Sequence, residues 1–129
     1  QCGTHRKGKR MSRTRASAKQ AGARFERLIA DTLATHLDDR IDRRVKTGAK
    51  DKGDIAGVRL HGQRVTIEVK DVSRTNLGGW INEAETERGN DDGLAGLVIH
   101  KRRAHGDGLD QYVTCTVRDL LALITGERA

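Results

Sequence analysis

Residues 65–70 constrain this chain more than any other segment. Val65, Ile67 and Val69 alternate with Thr66, Glu68 and Lys70 in a run rich in β-branched side chains. A period of two in such residues predicts a strand with one apolar and one polar face. Residues two apart share a side, so Glu68 and Lys70 are expected as neighbours on the polar face, away from the core. Upstream, Gly53-Asp54-Ile55-Ala56-Gly57-Val58 reads as a second short strand. His61-Gly62-Gln63 supplies a turn that folds the two into an antiparallel hairpin. Asp54, at the mouth of that hairpin, then approaches Glu68. Two carboxylates held close repel when both are ionised, which raises one pKa unless a cation lies between them. Magnesium or manganese, oxygen-seeking ions well served by carboxylates and waters, suits that position. Lys70 beside it can orient a water or stabilise charge developing on a phosphodiester. Taken alone, a Glu and a Lys flanking one apolar residue more often form a solvated face with a weak ion pair. The metal reading gains from Asp54 at hairpin distance and from Glu26 in the helix before it.

Phe25, Leu28, Ile29, Thr32, Leu33, His36 and Leu37 recur at helical spacing, predicting a helix over about residues 17–37 with Glu26 at the border of its apolar stripe. By pattern alone, Glu26 followed by Arg27 is solvated surface. Residues 40–46 read as the first strand, ending at the Thr47-Gly48 loop. A polar connector follows Lys70, then a helix over residues 77–88 that carries Trp80, Ile81 and Ala84. Asn90-Asp91-Asp92-Gly93 breaks the chain before a buried strand, residues 94–100, and a basic, glycine-containing loop, residues 101–110. Residues 111–115 read as another strand, and Thr116-Val117-Arg118-Asp119 as the cap of a last helix bearing Leu120, Leu121, Leu123 and Ile124. Helix, three strands, helix, two strands and helix predict an α/β fold, a central mixed sheet of about five strands flanked by helices.

Glu26, Asp54 and Glu68-Val69-Lys70 together resemble the PD-(D/E)XK nuclease superfamily, whose pattern is an acid in an N-terminal helix, then Asp, then Glu-X-Lys. More narrowly, Arg44-Val45-Lys46-Thr47-Gly48-Ala49, leading through Gly53-Asp54-Ile55 to Glu68-Val69-Lys70-Asp71, is similar to the Holliday junction resolvases of archaea and of phages infecting actinobacteria. The resemblance covers residues 20–120, with its specificity between Arg44 and Asp71. Two departures are Thr47, where the archaeal enzymes typically carry serine, and Gly53 in place of a proline before Asp54. The resemblance implies a restriction-endonuclease-like core. It implies Glu26, Asp54, Glu68 and the main-chain carbonyl of Val69 around magnesium, manganese substituting, with Lys70 at the attacking water. Hydrolysis that leaves a 5′-phosphate and a 3′-hydroxyl on branched DNA, a twofold homodimer and no small-molecule cofactor are also implied. The expected setting is the cytoplasm of a bacterial or phage-infected bacterial cell. A recombination exonuclease or restriction-type endonuclease would share these residues, and a non-catalytic DNA-binding module could keep the fold.

The net charge of +7 is unevenly spread. Of 25 Lys and Arg residues, eight lie at or before Arg24, where there is no acid, and the other 17 face all 18 acids. The excess is therefore an N-terminal arm, residues 1–19, ahead of a nuclease domain over residues 20–129. Its composition predicts disorder when unbound and phosphate binding by counterion release, with Arg13, Arg15 and Lys19 as contacts. Met11, the sole methionine, offers an alternative start, so residues 1–10 read equally as an upstream extension. Arg44, Thr47 and the cluster Lys101, Arg102 and Arg103 are further candidate DNA contacts. Aromatics make up only 2% of the chain, which argues against base stacking as the main mode of binding and favours recognition of shape. The helix carrying Trp80, the sole tryptophan, or the last helix is expected to supply the apolar part of a dimer surface. Cys115 reads as a reduced core residue, and Cys2 with His5 lacks the second pair that structural zinc requires. No apolar stretch approaches membrane-spanning length, and no apolar signal region is present.

Overall fold

Thr14 sets the start of the first helix: its hydroxyl accepts the N–H of Ser17 at 3.0 Å. Helix α1 spans Arg15–His36 and buries Ala21, Phe25, Ile29 and Ala30, a stripe at the spacing of successive turns. The computed structural model describes residues 13–46 and 48–129. Residues 1–12, including Cys2 and His5, and the candidate contact Thr47 lie outside the described residues. The segment expected as a disordered arm is thus helical from Arg15 onward, because the Thr14 cap adds a turn of good helix formers to the amphipathic stretch.

Strand β1 is only Asp42–Arg43, shorter than the pattern of residues 40–46 suggests. Ile55–Ala56 (β2) and Arg59–Leu60 (β3) both pair antiparallel with β4, Gln63–Lys70, through the turn at His61-Gly62. Helix α2, Leu77–Asp91, is capped by Asn76 and leads to β5, Ala95–His100, which lies parallel to β4. A single 3₁₀ turn, Gly108–Asp110, precedes β6, Tyr112–Thr114, and α3, Val117–Thr125, begins at the Thr116 cap. The sheet is mixed and six-stranded, in the order β1-β2-β4-β5-β6 with β3 beside β4, and helices flank it. Among the described residues, no helix is long and apolar enough to cross a membrane.

β4 is buried on both faces from Val65 to Val69. On one, Val65, Ile67 and Val69 pack with Phe25, Ile29 and Ala30 of α1, each large side chain contributing roughly 2 kcal/mol of apolar burial. The other face carries Thr66 and Glu68, in register with Gly96 and Val98 of β5, and α2 covers it through Trp80 and Ala84. The polar face is therefore not turned to solvent, as strand alternation alone predicts. A helix lies on it, as parallel pairing through a helical crossover requires. Gly96 permits the close approach, since a Cβ there would stand 3.0 Å from the carbonyl oxygen of Ala84. Trp80, 7% exposed, is consumed in this packing and is not available as a dimer anchor. Cys115 is a half-buried free thiol, at the border of the core and not within it.

Gly53 is the backbone hinge that delivers Asp54. It holds φ at +98°, and a Cβ would fall 2.9 Å from the Ile67 carbonyl oxygen. Gly53→Ala is expected to destabilise the fold by more than about 1 kcal/mol. Urea unfolding with an unchanged midpoint would refute this account of the turn.

Candidate metal and phosphate site

Asp54 is fixed by the ladder it interrupts. Its N–H donates to the Ile67 carbonyl at 2.8 Å, and its Oδ2 accepts the Val69 N–H at 2.8 Å, in the position a backbone carbonyl would take. Oδ1 accepts Lys46 Nζ at 2.8 Å, and that ammonium also reaches Asp51 Oδ1 at 3.5 Å. Glu68 is 5% exposed and meets Lys70 Nζ through Oε2 at 3.2 Å. Lys70 is shared with Glu83 of α2, 3.1 Å away. Glu87, one helical turn beyond Glu83, is 4% exposed and faces the same point. Glu68, Glu83 and Glu87 each offer a carboxylate oxygen within 4.8 Å of the others. For comparison, oxygens about 2.1 Å from an octahedral magnesium lie up to about 4.2 Å apart.

Two buried oxygens here, Glu68 Oε1 and Glu87 Oε1, have no hydrogen-bond donor. Burial raises the Glu68 carboxyl to about 10, and the charge of Asp54 adds to it. Burial likewise raises Glu87 to about 7 against an opposing hydrogen bond with Glu68, with the charges of Asp51 and Asp54 adding to the rise. As carboxylates the pair lack donors, whereas a proton held on one lets it donate to the other. The cluster thus retains a proton at neutral pH where a cation would otherwise serve. Burial lowers the Lys46 ammonium, yet the hydrogen bond and charge of Asp54 outweigh it and the net shift is upward. Lys70 behaves alike, burial being overcome by Glu83 and Glu68.

The other expected residues divide. Glu26 is held by Arg43 at 3.2 Å and lies outside the three-glutamate group. Burial raises its pKa, and the charge of Asp54 raises it further, so the two carboxylates sense each other. The Val69 amide is tied to Asp54 and its side chain is in the core. Arg44 turns inward to Asp91 at 3.4 Å, where Arg64 and Thr66 also bond, which makes it a core-facing ion pair. Arg13 reaches Asp71 beside Lys70, with 3.1 Å to its carbonyl. Arg15 and Lys19 stand exposed on α1, and Lys101 to Arg103 border a cavity next to Lys70. Sequence reading missed Glu83 and Glu87, although their spacing of four on a helix following Lys70 was a visible signal. Lys46 and Asp51 sit in irregular loop and carry none.

The chain matches no protein-family model, no curated protein and no solved structure.

The raised carboxyls carry a pH signature. Below the ordinary carboxyl value both folded and unfolded chains hold these protons, so the full stability is present there. Above it the folded chain holds more, and stability falls as pH rises through the raised values. Thermal unfolding of the metal-free protein is therefore expected to show a falling midpoint from pH 5 towards about 7 and on towards about 10, the values of Glu87 and Glu68. Glu68→Gln should flatten that slope, and an unaltered slope would contradict the shared proton.

Proposed function

We propose that this chain is a magnesium-dependent DNA endonuclease that resolves four-way junctions by phosphodiester hydrolysis. The supporting observation is the pair of buried, donorless oxygens, Glu68 Oε1 and Glu87 Oε1, in a cluster that also contains Asp54 and is flanked by Lys46 and Lys70. Hard carboxylate oxygens are what magnesium or manganese selects, so the residues fit such an ion. Glu68, Glu83 and Glu87 would hold it, and Asp54 would join by exchanging its bond to Lys46. Glu26 joins the set only by exchanging its bond to Arg43. Such an ion, when bound, would neutralise charge at the phosphodiester and lower the pKa of a water. Lys70, positioned by two carboxylates, presents its ammonium to the attacking water or the developing phosphate charge. Asp54 keeps β2 and β4 in register beneath these groups, and Lys46 compensates its charge.

The junction preference rests on the resemblance between Arg44 and Asp71, and on basic groups at both ends of the site. Two symmetric cuts need two centres at a fixed separation, hence a twofold dimer. Helix α3 exposes Val117, Leu120, Leu121 and Ile124, an apolar face that suits this contact.

With magnesium present, four-way junctions should be cut in preference to Y-form, linear duplex and single-stranded DNA. Glu68→Gln is expected to lower that rate by at least about 100-fold. Preferential degradation from linear ends would replace the resolvase reading with an exonuclease one, and cutting unaffected by Glu68→Gln would remove the mechanism. Separately, Leu120→Glu with Ile124→Glu should convert a dimer into a folded monomer in light scattering. An unchanged mass would move the interface off α3.

A further inference from the structure

The cavity beside Lys70, of about 440 Å³, is lined by none of Glu68, Glu83 and Glu87. The segment after β4, from Asp71 to Thr75, forms one wall and Lys101 to Arg103 another, while Trp80, His100 and Tyr112 also line it. The three rings follow one another, with centroids 5.3 Å apart for Trp80 and His100 and 5.6 Å for His100 and Tyr112. The Arg102 guanidinium lies 5.3 Å from the Tyr112 ring centroid. Only three aromatic residues occur in the whole chain, one each of Phe, Trp and Tyr, and two of them line this one cavity. Tyr112 is 50% exposed, although an aromatic side chain is costly to leave in water.

The charge on this lining is mostly positive. Lys101 Nζ donates to the carbonyls of Arg102 and His105, and Arg103 donates to the Ser73 carbonyl at 3.2 Å. No carboxylate pairs with Lys101, Arg102 or Arg103 among the described residues. Asp71, the acid on the lining, is engaged by Arg13 at 3.4 Å. Planar rings, a stacked guanidinium and free positive charge are what a base and its phosphate require together. A cavity of this size accepts a ligand of nucleotide dimensions.

We propose that this cavity receives one unstacked nucleotide of the DNA strand being cut, its base against the Tyr112 and Arg102 platform and its phosphate at Lys101 and Arg103. Lys70 borders both this cavity and the carboxylate cluster, which makes the bound nucleotide a neighbour of the scissile phosphate. The inference rests on the nuclease reading and specifies what part of a branched substrate the site holds. A low aromatic content excludes a run of stacking platforms, but one pocket for one base needs no more than these rings.

The test has a binding arm and a cutting arm. Affinity for the single-stranded trinucleotide dTdTdT is measured without divalent cation by the fluorescence of Trp80, the sole tryptophan. Tyr112→Ala should weaken it roughly ten-fold, Tyr112→Phe should retain it, and Arg102→Gln should weaken it by a smaller factor. In the cutting arm, replacing single nucleotides next to the cleaved bond by abasic residues should slow wild-type cutting at one position. That abasic substrate should be cut no more slowly by Tyr112→Ala than the intact one. Affinity indifferent to Tyr112→Ala and Arg102→Gln overturns the proposal, as does the absence of any sensitive abasic position in DNA that the protein cuts. If no DNA is cut while binding depends on Tyr112, the nuclease reading fails and the base site stands.

Discussion

One hydrogen bond organises the interior: Asp54 Oδ2 accepts the Val69 N–H where β2 parts from β4. The carboxylate stands in for a strand, so the ladder ends without leaving a buried donor unpaired. Because the acceptor is charged, closing the ladder places a negative group inside the protein, and Lys46 is required at its other oxygen. Glu68, one residue before Val69, is carried into the same enclosed space by the pleat. The fold and the acidic cluster are thus one construction, in which the edge of a hairpin is sealed by a charged side chain.

α2 completes that enclosure. Its apolar positions, Trp80 and Ala84, seat it on β5, and the same seating brings Glu83 and Glu87 over Glu68 and Lys70. Desolvation by the helix raises the Glu68 and Glu87 carboxyls, which ordinary solvated glutamates would not show. Burying donorless oxygens costs roughly 1–3 kcal/mol each, a penalty that relocating either glutamate to the surface would remove.

The hairpin from Gly53 to Lys70, the three helices and the buried strand of residues 94–100 were legible because each has a local cause: a period of two, a period near 3.6, the Thr116 cap or a glycine turn. β1 was overextended because its alternation is genuine, but only Asp42 and Arg43 find a partner strand. Asp54, Glu68 and Lys70 were legible as a group because a hairpin and a pleat fix their relation. The burial of Glu68 was not, since it depends on where α2 lands, a tertiary outcome no period within β4 encodes. Arg44 illustrates the same limit: in sequence it is one more cation in a basic stretch, and only the fold sets Asp91 beside it.

The parallel register of β4 and β5 pairs Lys70 with His100. Adjacent strands are about 4.8 Å apart, so these two residues are direct neighbours across the sheet. The register therefore joins the two places: Lys70, bonded to Glu68 and Glu83, stands beside a residue of the ring-lined hollow. A register shift of one residue would turn the side chains of one strand to the opposite face and part the acidic cluster from the hollow.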